Sequence, residues 1–237
     1  MHIEGKKLKK VLNKIKILES IDISINSDKT YGLLGPNGAG KTSLFSILAG
    51  LSKPSEGDVL YDSKIVNNLS FEQRSELGVI YLPQEPSVFR ELTVEENVKA
   101  ALEAKKYDKK QIENKLFEIS KEFDLMSIKT QKCNSLSGGQ RRRVEIARAI
   151  ALNPKLILLD EPFAGIDPLV VNEIKLLIKN LKEKSIGVLI SDHNVNATLD
   201  ICDFIYVINS GRVIAQGIPN EIVQNELVKK VYLGDKI

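Results

Sequence analysis

The sequence predicts an α/β fold: a mainly parallel sheet with crossover helices, accompanied by a small antiparallel sheet and interrupted by a helical insertion. Three observations carry this. The short apolar runs "TYGLLG", "LGVIYL", "KLILLD", "IGVLIS" and "FIYVINS" are separated by longer helical patterns, as strands buried on both faces of a parallel sheet are. "KILESIDISIN" and "EGDVLYDSKIV" alternate apolar with polar residues, as antiparallel strands with one wet face do. Between Glu85 and Asn153 no convincing strand occurs, and three helix starts bring their own caps.

At 237 residues the chain is long enough for one large α/β domain that buries a core without staples. It reads as a single domain in which 1–84 and 154–237 form the core with its antiparallel strands and 85–153 form the helical subdomain. Lys+Arg 34 against Asp+Glu 31, a net +3, is too balanced for a nucleic-acid-binding surface. No apolar run approaches bilayer length, and the lysine-rich start lacks the apolar segment of a secretory signal, so a cytosolic chain is expected. Cys133 and Cys202 stand alone, without zinc spacing or a disulfide framework, and read as small buried or half-buried residues. The lysines at 6, 7, 9, 10, 14 and 16 are interspersed with Leu8, Val11, Leu12, Ile15 and Ile17. They read as charges protecting edge strands, with an anionic membrane surface as the alternative.

The elements follow in order. The strand "TYGLL" runs into Gly35, Pro36, Asn37, Gly38, Ala39, Gly40, Lys41 and Thr42, which match G-x-x-x-x-G-K-[ST], and Ser43 continues into the helical "SLFSILAG". The glycines let consecutive N–H groups curl around phosphates, the helix start adds its dipole, Lys41 adds charge and the Thr42 hydroxyl can ligate Mg²⁺. "LGVIYLPQ" delivers Gln84. In the insertion, Thr93 with Glu96, Asp108 with Gln111 and Ser137 with Gln140 fit capping boxes. Ser137, Gly138 and Gly139 open a helix, so their N–H groups form a second anion site without a lysine. One phosphate loop already encloses a nucleotide, so this second site is read as meeting the nucleotide of another copy, which predicts a dimer. Arg141, Arg142 and Arg143 fan around the helix and read mainly as solvated and ion-paired, with Glu145 four residues from Arg141.

Asn153-Pro154 returns the chain to the sheet. "LILLDE" ends in Asp160 and Glu161, which a strand points to opposite faces and which therefore take different tasks. Asp160 suits Mg²⁺, leaving Glu161 to orient or deprotonate an attacking water. "IGVLISDH" delivers His193. In an open α/β sheet ligands sit beyond the carboxyl ends of the strands, so these residues are expected at one edge.

In that order "GPNGAGKTS", "YLPQ", "LSGGQ", "LILLDE", "AGID" and "SDHN" resemble the motifs of the ATP-binding subunit of ABC transporters over nearly the full length. The resemblance implies a P-loop, RecA-like core, ATP and Mg²⁺ as ligands, and a homodimer with nucleotide at its interface. It implies Glu161 as the catalytic carboxylate, His193 at the γ-phosphate, and Asp167 across the dimer interface. Gln84 would serve nucleotide and metal while coupling them to membrane subunits on the cytoplasmic face of the inner membrane. Phe89 and Arg90, in "EPSVFRELTVEENV", are expected to line the groove for those subunits. Leu12 stands where the family usually stacks an aromatic residue on adenine. Within the family, "YLPQEPSVFRELTVEENV", "RRRVEIARA", "DEPFAGIDP" and "VKKVYLG" are most similar to ATPases of lipopolysaccharide export. ATPases of branched-chain amino-acid importers are the nearest rival, and a soluble ABC-type switch acting on ribosomes or DNA is the reading from another class.

Overall fold

The structure, a computed structural model, describes residues 1–233. Ten strands make two sheets. A six-stranded sheet has the order β10-β9-β3-β8-β7-β6, formed by β3 (Thr30–Leu34), β6 (Val79–Leu82), β7 (Leu156–Asp160), β8 (Gly187–Ser191), β9 (Phe204–Asn209) and β10 (Arg212–Gly217). Its strands pair in parallel except β10, which lies antiparallel on β9. A four-stranded antiparallel sheet has the order β2-β1-β4-β5, from β1 (His2–Leu12), β2 (Ile15–Asn26), β4 (Glu56–Tyr61) and β5 (Lys64–Ile65). All five expected parallel runs and both alternating runs are strands. The expectation for the N-terminal lysines needs correction: β1 is interior, between β2 and β4, and its lysines sit on the wet face, with Lys9 paired to Glu56 at 2.6 Å.

The parallel strands are buried on both faces, which is why they read as continuous apolar runs. Leu156 and Leu158 face the antiparallel sheet and helix α1 (Lys41–Ala49), whereas Ile157 and Leu159 face the remaining helices. Arg74, in α2 (Phe71–Glu76), is wholly buried and donates to the Ile47 and Leu48 carbonyls at the end of α1 and to the Val66 carbonyl.

Between 85 and 153 the elements are helical: α3 (Val94–Ala104), α4 (Lys109–Glu122), one 3₁₀ turn and α5 (Gly138–Ala151). The three anticipated capping boxes are present at Thr93, Asp108 and Ser137. A fourth, Ser70 with Gln73, opens α2 and went unread. Asn153, at φ 52°, and Pro154 turn the chain into β7. After β7 come α6 (Pro168–Glu183) and, beyond β8, α7 (Val195–Ile201). Cys133 and Cys202 are both buried free thiols.

The arginine triplet behaves differently from its sequence reading. Glu145 pairs with Arg142, three residues away, at 2.8 Å, and both are buried. Arg141 turns back to the Leu136 carbonyl, and Arg143 reaches Asp124 at 3.0 Å. The helix fans the three side chains apart as expected, but the middle one points into the protein.

Candidate active site

Because β3, β8, β7 and β6 are parallel neighbours, their carboxyl ends share one edge. After β3 the chain crowds against β9, and a Cβ on Gly35 would collide with the Ile208 carbonyl. Gly40, at φ 106°, packs against the Leu18 side chain, 2.6 Å from where a Cβ would sit. Gly40 is also the N-cap of α1 and supplies no side-chain hydrogen bond, in contrast to Thr93, Asp108, Ser137 and Asp167 at the starts of α3, α4, α5 and α6. The first N–H groups of α1 are thereby left for an anion.

A depression of about 290 Å³ lies over this loop, lined by Ile17, Asn37, Gly38, Gly40, Lys41, Thr42, Ser43 and Glu161. Ile17 rather than Leu12 borders it; Leu12 lies exposed at the end of β1. The Lys41 ammonium donates to the carbonyls of Gly35 at 2.7 Å and Pro36 at 3.0 Å. Burial holds its pKa below the ordinary lysine value, against the pull of the Glu161 and Asp160 charges.

Asp160 is 2% exposed. Burial raises its pKa, while hydrogen bonds from Thr42 and Tyr81 and the charge of Lys41 act to lower it and the charge of Glu161 adds to the rise. A buried carboxylate near the Thr42 hydroxyl fits a magnesium ion, which binds through one or two protein oxygens plus phosphates.

The strand-alternation argument for Glu161 fails, because β7 ends at Asp160 and Glu161 has the left-handed φ of 48°. Its N–H donates to the Ser191 carbonyl at 2.7 Å, and its carboxylate stays on the Lys41 side with Asp160. The His193 Nε2–H is 2.7 Å from Glu161 Oε1. The two residues assigned separate tasks are thus in direct contact.

Asp192 was missed. It accepts from the Phe163 N–H at 2.8 Å and the Asn194 N–H at 2.7 Å, tying the turn after Glu161 to the turn bearing His193. Burial raises its pKa, opposed by those two N–H groups. Its place beside His193 at a strand end was the available signal.

Gln84 is exposed and borders a neighbouring depression with Gly138, Arg142, Glu145 and Glu161, away from Thr42. Ser137 and Gln140 bond each other through the capping box, leaving the Gly138 and Gly139 N–H groups as first-turn donors. A Cβ on Gly139 would collide with Val170 on α6, whereas one on Gly138 would meet only the Gly165 carbonyl at 3.6 Å. Asp167 caps α6 through the Leu169 N–H at 2.8 Å and is exposed.

The sequence model of ABC transporters matches residues 18–164. The chain belongs to the ABC transporter family. Residues 212–236 also match a model described as branched-chain amino acid ATP-binding cassette transporter. The lipopolysaccharide export system ATP-binding protein LptB of Haemophilus influenzae (strain ATCC 51907 / DSM 11121 / KW20 / Rd) is 46% identical over 222 residues, covering 93% of this chain and 92% of that protein. The ADP conformation of an ATP-binding cassette of an ABC transporter superposes with a TM-score of 0.88 at 30% identity, covering 99% of this chain and 100% of that one. A dimeric ATP-binding cassette in a post-hydrolysis state bound to ADP and Pi gives 0.81 at 28% identity, covering 92% and 98%.

Further contacts of this ABC transporter subunit escaped the sequence. Arg148 of α5 donates to the Ser87 carbonyl at 2.5 Å and lies 4.6 Å from the centroid of the Phe89 ring, and Glu145 accepts from the Ser87 N–H at 2.7 Å. The helix that begins at Ser137 therefore grips the segment after Gln84. Phe89 itself is 51% exposed, which excludes a core role. Burial pushes up the pKa of Tyr232, in the terminal motif. Among the described residues no helix is long and apolar enough to cross a membrane.

Proposed function

We propose that this ABC-family ATPase is the motor of a lipopolysaccharide exporter, acting as a pair of copies on the cytoplasmic face of the inner membrane through separate membrane subunits. The observation that carries the enzymatic part is the convergence of Lys41, Thr42, Asp160, Glu161 and His193 on one sheet edge. The N–H groups of Gly38 to Lys41 and the Lys41 ammonium cradle the phosphates, which replace the Gly35 and Pro36 carbonyls as its partners. Thr42 and Asp160 would hold Mg²⁺, which would supply positive charge against the charge developing on the transferred phosphoryl group. Glu161 accepts a proton from the water attacking the γ-phosphorus, and His193, whose Nε2 lies 2.7 Å from Glu161 Oε1, orients that carboxylate and reaches the γ-phosphate.

None of Ser137 to Gln140 lines the depression over the phosphate loop. That supports the reading in which Gly138 and Gly139 receive the nucleotide of a second copy, with Asp167 across the interface. The groove at Gln84, Phe89 and Arg90 is the dock for the membrane subunits. Full-length similarity to LptB supports the export cargo; the importer rival rests on a 25-residue C-terminal match. The test is reconstitution with the co-purified membrane subunits, where ATP should drive lipopolysaccharide out of proteoliposomes. ATP-dependent uptake of a branched-chain amino acid, with no lipopolysaccharide release, would overturn the cargo assignment.

A further inference from the structure

Tyr81 opens the "YLPQ" stretch but carries none of the roles assigned so far, yet its phenol reaches the candidate active site. Along β6 the side chains alternate: Val79 and Tyr81 face α1 and the antiparallel sheet, Ile80 and Leu82 the helical side. The Tyr81 ring packs on Phe45 of α1, with centroids 6.2 Å apart. In register Tyr81 lies beside Leu158 of β7, and its hydroxyl extends diagonally to donate to Asp160 Oδ2 at 3.2 Å. Phenylalanine would fill the same space against Phe45, so the hydroxyl serves Asp160 and not the packing.

Asp160 is held from the β6 side by this hydrogen bond. It is buried, the Tyr81 hydroxyl donates to Oδ2, and Thr42 lies near the carboxylate. A carboxylate has two oxygens that both accept; occupying Oδ2 from the β6 side fixes the plane of the group and keeps Oδ1 clear of the tyrosine.

We propose that Tyr81 is a positioning residue for metal–nucleotide binding, its hydroxyl holding Asp160 in the orientation in which the carboxylate serves the metal together with Thr42. The inference rests on the reading of Asp160 as a metal ligand given above. Without the hydroxyl Asp160 rotates to satisfy Oδ2, and the metal is bound less tightly although the phosphate loop is unchanged.

The test uses the full chain and Mn²⁺, an ion visible by electron paramagnetic resonance, titrated in the presence of ADP. Tyr81→Phe should weaken Mn²⁺ about tenfold, the size of one hydrogen bond to a charged group. ADP affinity in EDTA and the melting temperature should be unchanged. In turnover, the Mg²⁺ concentration for half-maximal rate should rise while the rate at saturating Mg²⁺ stays within about twofold of the parent. Once Asp160→Asn is in place, adding Tyr81→Phe should cause no further loss, because the two act as one unit. Unchanged Mn²⁺ affinity in Tyr81→Phe, beside a clear loss in Asp160→Asn, would overturn the role of Tyr81 alone. Equal losses of ADP affinity with and without metal would also overturn it, by making Tyr81 a general support of the loop. Unchanged Mn²⁺ affinity in Asp160→Asn would instead overturn the metal-ligand reading and this inference with it.

Discussion

Glu161 occupies a backbone conformation, φ 48°, that non-glycine residues adopt infrequently and at a cost of order 1–3 kcal/mol. The surroundings enforce it: the Glu161 N–H is bound to Ser191, and Asp192 fixes the Phe163 N–H two residues on. The strain turns the carboxylate toward Lys41 instead of away from Asp160. Glu161→Gln keeps shape and length, so it should leave ATP affinity within about twofold while lowering turnover by about 10²–10⁴-fold, the usual contribution of a positioned base. Binding of a fluorescent ATP analogue and phosphate release measure the two quantities; parent-like turnover would remove Glu161 from its role. The sequence named Glu161 and His193 from their positions after apolar strands. Their 2.7 Å contact was illegible, because it depends on a left-handed turn that no periodicity signals.

Helix α5 carries most of what the sequence misread. Its glycines announced a special helix start, and the structure divides their reasons: Gly139 is required by Val170 of the same chain, whereas Gly138 has room for a methyl group. Gly139→Ala should therefore destabilise the fold by about 1–3 kcal/mol, the usual cost of overpacking, while Gly138→Ala should be nearly neutral. Urea unfolding of the two variants checks this, and equal losses would contradict the division. The buried Arg142–Glu145 pair was hidden because three consecutive arginines look the same in sequence, and only tertiary packing decides which faces inward. Ser137→Arg fills the anion site without touching the phosphate loop. It should abolish turnover while the isolated chain binds ATP as before, and loss of that affinity would refute the division of the site between two copies.

At the scale of the molecule, the sheet edge, the antiparallel sheet and the helical insertion were legible because each has its own hydrophobic period. The interior place of β1, the strand β10 and the grip of α5 on Ser87 were not, since sheet order and contacts between distant segments leave no local pattern. That grip joins the Phe89 surface to the helix starting at Ser137. Phe89→Ala should weaken binding of the membrane subunits by about 2 kcal/mol or more while the free subunit keeps its ATPase activity. Its melting temperature should barely move, because the ring is half exposed. A large drop in melting temperature together with lost basal activity would contradict the docking role of Phe89. The central claim, that one copy's phosphate loop and another's Ser137–Gln140 loop enclose the same nucleotide, is tested most directly by the mass of the Glu161→Gln protein in solution. With ATP and Mg²⁺ it should sediment as a dimer, with ADP as a monomer, and with Ser137→Arg added it should remain monomeric in ATP at unchanged nucleotide affinity. A dimer that forms equally in ATP and ADP, or that survives Ser137→Arg, would contradict the claim.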